Sequence, residues 1–212
     1  MERIRELLAK KFRWKQLTMH SRVVISVSAA LIVAGTVLIK MTEDVTWLGA
    51  FFHSVSARTA GFSSYPLKEF SNSGLFVLIV LMFIGASPGS TGGGIKTSTF
   101  FTLLMGIKSA ATNQSEKAFH FAFPRDAFRK AAVVTLLALA VVLVGSYLMT
   151  IMEPDLRLID ILFEVTSAFG TVGLSTGITP QLQPASKLIV ILIMYTGRIG
   201  PLTVASLWAF RT

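Results

Sequence analysis

The sequence predicts an all-α integral membrane protein built as two tandem helix–pore loop–helix repeats. First, 52% of its 212 residues are hydrophobic and the mean hydropathy is +0.65, more than a water-soluble core accounts for. Second, a Thr-x-Gly turn ending in a large apolar residue occurs twice, as Thr59-Ala60-Gly61-Phe62 and Thr171-Val172-Gly173-Leu174. Third, Thr59 and Thr171, Gly61 and Gly173, Met82 and Met194, and Gly85 and Gly197 each stand 112 residues apart, which marks a duplication.

Residues 1–22 carry Arg3, Arg5, Lys10, Lys11, Arg13, Lys15 and Arg22, with Ile4, Leu7, Leu8 and Phe12 at helical spacing between them. They read as a basic cytoplasmic linker, either an amphipathic interfacial helix or solvated chain. Residues 23–41 form an apolar run long enough to span a bilayer, for which about 20 residues are needed. Lys40-Met41-Thr42-Glu43 offers no small-residue cleavage site, so the run is a retained helix rather than a signal peptide. Residues 46–58 are too few to cross and can only dip into the membrane before the first turn.

The next apolar run, 75–84, is interrupted by Gly85-Ala86-Ser87-Pro88-Gly89-Ser90-Thr91-Gly92-Gly93-Gly94-Ile95-Lys96-Thr97, and helical sequence resumes at Phe100. No regular helix tolerates this density of glycine with a proline, so the spanning element is broken near mid-membrane. Residues 23–111 make the first repeat and 112–125 a cytoplasmic connection. Phe119, Phe121 and Phe123 beside His120 give that connection an aromatic patch suited to lipid headgroups or a regulatory partner. Pro124 suits the first turn of the following helix.

The second repeat, 126–212, contains a long apolar run at 131–152, a short one at 160–169, the second turn, and a last helix expected over 188–210. That helix keeps Gly197, Gly200 and Pro201 and carries Arg198, a charge whose place in an apolar helix marks it as functional. Lys108, Lys117, Arg125, Arg129 and Lys130 put the 105–130 connection on the cytoplasmic side with the N-terminus. Glu43, Asp44 and Glu69, and later Glu153, Asp155, Asp160 and Glu164, fall in external or re-entrant segments.

The turns explain what such a chain can do. Stripping water from a monovalent cation requires several oxygen ligands where no side chain intrudes, and carbonyls beside glycine supply them. The candidate ligands are the carbonyls of Thr59, Ala60 and Gly61 with those of Thr171, Val172 and Gly173, flanked by Phe62 and Leu174. The C-terminal end of each short helix adds a negative dipole end toward the membrane centre. Beneath them, Gly85, Ser87, Gly89, Ser90, Thr91, Gly92, Gly93, Gly94 and Lys96 form a flexible segment suited to a gate. Arg198 is expected to hold it shut by hydrogen bonds to its carbonyls. Arg58 and Glu164, both costly at this depth, have two options: a mutual pair, or separate partners.

Other chemistries are excluded. The chain has no cysteine, and its three histidines show no ligand spacing, so neither a disulfide scaffold nor a zinc site is expected. Gly94-Ile95-Lys96-Thr97 lacks the adjacent Gly-Lys of a phosphate loop. The net charge of +9 is segregated to one side of the membrane rather than spread over a nucleic-acid face, so no nucleic-acid partner is expected. No nucleophile, base and orienter converge, which argues against an enzyme.

The filter-like turns, the Gly-Ser-Thr-rich break and the Gly197-Arg198-Ile199-Gly200-Pro201 stretch together resemble the C-terminal half of the Trk/Ktr/HKT potassium uptake superfamily, nearest its bacterial KtrB-type membrane subunit. The resemblance runs from about Arg22 to the end. It implies four repeats around one ion path in a pseudo-tetrameric cation channel fold, with the turns as the third and fourth filter segments and 85–97 as an intramembrane gating loop facing Arg198. It also implies a multi-pass protein of the bacterial plasma membrane in contact with lipid, assembled as a homodimer with a cytosolic nucleotide-binding regulatory subunit of the KtrA/TrkA type. K+ is the implied transported ion, Na+ stays open on the spacing alone, and no organic cofactor is expected. Sodium-coupled alternating access and a non-conducting structural role are the competing readings. Two filter segments cannot enclose an ion, so either a missing N-terminal half or a second copy completes the ring. With the chain stopping at Arg211-Thr212, truncation at both ends is expected.

Overall fold

In a computed structural model, the described residues are 17–112, 117–118, 121–122, 126–200 and 203. Seven α-helices are described: α1 (Met19–Thr42), α2 (Trp47–Ser56), α3 (Asn72–Phe83), α4 (Thr97–Thr112), α5 (Ala127–Met152), α6 (Leu158–Gly170) and α7 (Pro184–Ile199). A two-residue antiparallel pair, β1 (Lys117–Ala118) with β2 (Phe121–Ala122), lies in the connection after α4. The basic segment 1–16, most of the aromatic patch, Pro124 and the expected helical run past Gly200, save Thr203, lie outside the described residues.

Helices α1 and α5 are long and apolar enough to cross a membrane. Val33, Met41, Leu136, Tyr147 and Ile151 leave large apolar side chains on their outer faces, each at least 60% exposed, which water would penalise. Their inner faces are closed by small residues. A methyl on Gly35 would stand 2.5 Å from Ser54 Oγ, and one on Gly145 would stand 2.5 Å from Ile193. These glycines let α1 approach α2 and α5 approach α7, as close helix packing without a hydrophobic driving force requires.

The same contacts recur in both halves: α1 packs on α2 and α3, and α5 packs on α6 and α7. The halves join mainly through α3 against α6 and α4 against α5. Phe163, Phe169, Leu75, Leu78 and Met82 are fully buried across these contacts.

Carboxylates lock the outer ends. Glu43, which ends α1, accepts from Ser71 N (3.0 Å) and Ser71 Oγ (2.6 Å) at the start of α3. Glu153, which ends α5, accepts from Gln183 N and Ser186 Oγ, both at 2.7 Å, at the start of α7. Each neutralises N–H groups that a helix start leaves without partners. Glu153→Ala, which strands buried donors, is expected to lower stability by about 2 kcal/mol, read as a fall in the thermal midpoint of the detergent-solubilised protein. A midpoint equal to the unmodified protein's would remove this clamp from the fold's support.

Two expectations are corrected. Helix resumes after the break at Thr97 rather than Phe100, because Thr97 N bonds back to Ala86 O (3.3 Å) and opens the next turn. The last helix begins at Pro184 rather than Leu188, since a proline at the first turn costs no donor; its described stretch runs to Ile199, and Gly200 follows at φ 96.

Candidate ion-pathway site

The short helices α2 and α6 deliver the chain into the two turns. In the first, Ala60 N (3.0 Å) and Gly61 N (3.2 Å) both donate to Ser56 O, and Ser56 Oγ donates to Phe62 O. In the second, Val172 N donates to Ser167 O (2.9 Å) and Gly173 N to Ser167 Oγ (3.2 Å). Turning these amides back into the helix end leaves the carbonyls of Thr59, Ala60, Gly61, Thr171, Val172 and Gly173 accepting no hydrogen bond among the described residues. Of these six residues only Val172 is buried, and Ala60 and Gly173 are exposed, so the clustered acceptors stay open to a ligand of another kind.

The backbone is strained to achieve it. Among the described residues Thr59 (φ 143) and Thr171 (φ 50) are the non-glycine residues with positive φ, and Gly61 and Gly173 adopt φ 75 and φ 97. The turns also touch. A Cβ on Gly61 would stand 2.0 Å from Val172 O and 3.4 Å from Gly173 Cα, so only a hydrogen fits between them. Of the flanking residues, Leu174 is buried in the core and Phe62 is exposed.

The glycine-rich segment folds against both turns. Its ends meet where Ile84 and Ile95 pair as a parallel bridge and Ile95 N donates to Phe83 O (3.1 Å). Gly92 packs on Thr59, where a methyl would lie 2.4 Å from Thr59 Cγ2. Gly93 N donates to Thr171 Oγ1 (2.8 Å), and a methyl on Gly93 would lie 2.7 Å from Phe169 O. Gly85 packs on Gly93 O, and Gly94 turns with φ 74. Ser87, Gly89 and Ser90 belong to the outward tip of the loop; a methyl on Gly89 would meet nothing within 4 Å.

Three cations hold this loop by its carbonyls. Arg198 NH1 donates to Thr91 O, and Lys96 Nζ donates to Gly92 O. Arg58 NH2 donates to Gly85 O (3.2 Å) and its NH1 to Ser28 O (3.4 Å). Arg58 and Glu164 therefore have separate partners: Glu164 accepts from Thr179 Oγ1 on the opposite side of α6's turn. Sequence reasoning missed Arg58 as a loop tether. The available signal was an arginine abutting the turn with no acidic neighbour, next to a segment rich in exposed carbonyls.

Two adjoining turns with carbonyls accepting no hydrogen bond among the described residues, and a glycine loop held by three cations, thus lie in a bundle with membrane-length helices. Residues 4–210 match the TrkH family, described as cation transport protein, and the chain belongs to that family. It is 36% identical over 209 residues to Ktr system potassium uptake protein B of Vibrio alginolyticus, covering 91% of this chain and 45% of that protein. It is 37% identical over 207 residues to potassium/sodium uptake protein NtpJ of Enterococcus hirae, covering 91% of this chain and 46% of that one. The fold is similar to the crystal structure of the potassium transporter TrkH from Vibrio parahaemolyticus, with TM-score 0.75 and 19% identity over 96% of this chain and 46% of that one. The chain spans about half the length of the curated relatives it matches. The family is one of transporters rather than enzymes, and the chain is a membrane protein.

Proposed function

We propose that this chain forms half of a channel-like path for potassium uptake, with its two turns as selectivity-filter segments and 85–97 as an intramembrane gate. The observation that carries this reading is the direct contact of the Gly61 and Gly173 turns, with six carbonyls that accept no hydrogen bond among the described residues. Those oxygens can replace water around a dehydrated cation, and the loop below closes the path with backbone rather than an apolar plug. Each unit then reads as a spanning helix, a re-entrant helix and turn, and a second spanning element, the first of these broken at the gate.

The remaining filter segments come from the other half of a four-repeat protein or from a second copy. Names such as Ktr system potassium uptake protein B and D support a multi-component system with a partner subunit; the homodimer and the cytosolic nucleotide-binding character of that subunit rest on the family resemblance alone. The apolar outer faces of α1 and α5 meet lipid of the bacterial plasma membrane, with the N-terminus and the 105–130 connection in the cytoplasm. Potassium is the favoured ion, with sodium a second cargo, since one relative is named for both.

The test is growth of a potassium-uptake-deficient strain at limiting potassium, with the chain expressed alone and beside an N-terminal half from a relative. Restored growth with flux that follows the electrochemical gradient is expected. Obligatory exchange or saturating counterflow would instead show a carrier.

A further inference from the structure

Beyond each filter turn stands a serine two residues past the glycine, Ser63 and Ser175, and the two occupy equivalent positions 112 residues apart. Ser63 reaches a buried ionisable side chain on its own short helix directly, and Ser175 does so through Thr179. His53 on α2 is fully buried; its Nδ1 donates to Gly49 O (2.9 Å) and its Nε2 lies 3.1 Å from Ser63 Oγ. With the imidazole proton on Nδ1, Nε2 can only accept, so the single Ser63 hydroxyl proton turns to either Nε2 or Tyr65 O. The rings of Tyr65 and Phe70 close over the imidazole at 5.9 and 5.4 Å between centroids.

On the other side, Glu164 of α6 is 6% exposed and accepts from Thr179 Oγ1. Because the Thr179 proton is used there, Ser175 Oγ donates across 3.0 Å to Thr179 Oγ1 while accepting from Gly177 N (2.9 Å). Glu164 Oε2 is buried with no partner among the described residues, so this carboxyl sits where its solvation cost is not fully offset. The two anchors share no sequence similarity. His53 precedes its serine by ten residues and Glu164 precedes its own by eleven, each on the helix that delivers the turn.

We propose that His53 and Glu164 are positioning residues for cation selectivity, each fixing through its serine the outer shoulder of one turn, and so the spacing of the carbonyls that distinguishes potassium from sodium. This rests on reading the turns as filter segments. A filter selects by the number and placement of its carbonyls, and a shoulder free to shift by fractions of an ångström lets the smaller ion be coordinated equally well. Neither side chain touches the ion. Their effect passes through Ser63, and through Thr179 and Ser175.

The test compares potassium with sodium uptake by the intact protein in uptake-deficient cells, at equal abundance in the membrane. The ratio is independent of how many molecules fold. Ser63→Ala and Ser175→Ala remove only the hydroxyl and are expected to lower the potassium-to-sodium ratio about fivefold each. Glu164→Leu is expected to do the same, whereas Glu164→Gln keeps an oxygen for Thr179 and is expected to hold the unmodified ratio. Should both serine variants keep that ratio while the unmodified protein selects potassium, the positioning role is overturned and the filter reading stands. A Glu164→Gln ratio as low as that of Glu164→Leu would overturn anchoring by hydrogen bond. Uptake of neither ion by the unmodified protein would overturn the filter reading itself.

Discussion

Gly61→Ala is expected to reduce potassium uptake by a factor on the order of a hundred while leaving the protein in the membrane. Two costs combine at this position. Its φ of 75 is one that alanine adopts only with strain, and the added methyl would stand 2.0 Å from Val172 O, a backbone atom that cannot swing aside. The neighbouring turn would have to move, and with it the Val172 carbonyl proposed as an ion ligand. Gly173→Ala separates these costs. Its φ of 97 is equally strained, but the nearest atom to a methyl there is Gly61 Cα at 4.0 Å, so a smaller loss is expected. Gly177, with φ 94 and nothing within 4 Å, serves as a control in which only the dihedral cost acts. The expected order of uptake is Gly177→Ala above Gly173→Ala above Gly61→Ala, measured as initial rates at equal abundance. Equal losses at Gly61 and Gly177 would show that contact between the turns is irrelevant to conduction.

Arg198→Ala is expected to raise basal potassium flux about tenfold, the opposite sign to a mutation that merely damages the fold. The guanidinium donates to Thr91 O and bridges from α7 to the loop that lies against both turns. A hydrogen bond from a charged donor is among the stronger single tethers available, and its loss shifts the loop toward its open arrangement. Gly92 and Gly93 still pack against Thr59 and Thr171, and Lys96 and Arg58 still hold Gly92 O and Gly85 O, so the release is partial. Arg198→Lys retains a donor but not the planar fork and is expected to fall between the two. Flux through Arg198→Ala equal to that of the unmodified protein, in a liposome assay without other subunits, would remove Arg198 from the gate.

Much of this architecture was legible because the chain states it twice. The turns, the break and the arginine were readable from residue type, since glycine and proline in an apolar run leave few conformations available. The contact between the turns was not. Nothing local to Thr59-Ala60-Gly61 or Thr171-Val172-Gly173 says that they adjoin; that follows from α3 packing on α6, a tertiary choice made by Met82, Phe163 and their neighbours.

A single spacing of 112 also concealed part of the duplication. The carboxylate clamps Glu43 and Glu153, and the packing glycines Gly35 and Gly145, stand 110 residues apart, because the connection from Glu153 to the second turn is two residues longer than that from Glu43 to the first. The longer connection shifts register without altering the packing, so a search at one spacing finds the turns and misses the clamps. Arg58 escaped for a different reason. A buried arginine invites a search for a carboxylate, whereas here its partners are the carbonyls of Ser28 and Gly85, which carry no sequence signature.

The central claim is that bare carbonyls of the two turns take the place of a cation's water. Anomalous scattering from crystals of the intact protein soaked in rubidium or thallium salt tests it most directly. A peak in contact with the carbonyl oxygens of Thr59, Ala60, Gly61, Thr171, Val172 and Gly173 is the expected result. Ordered cations bound elsewhere, with these six oxygens hydrogen-bonded to protein or packed dry, would contradict it.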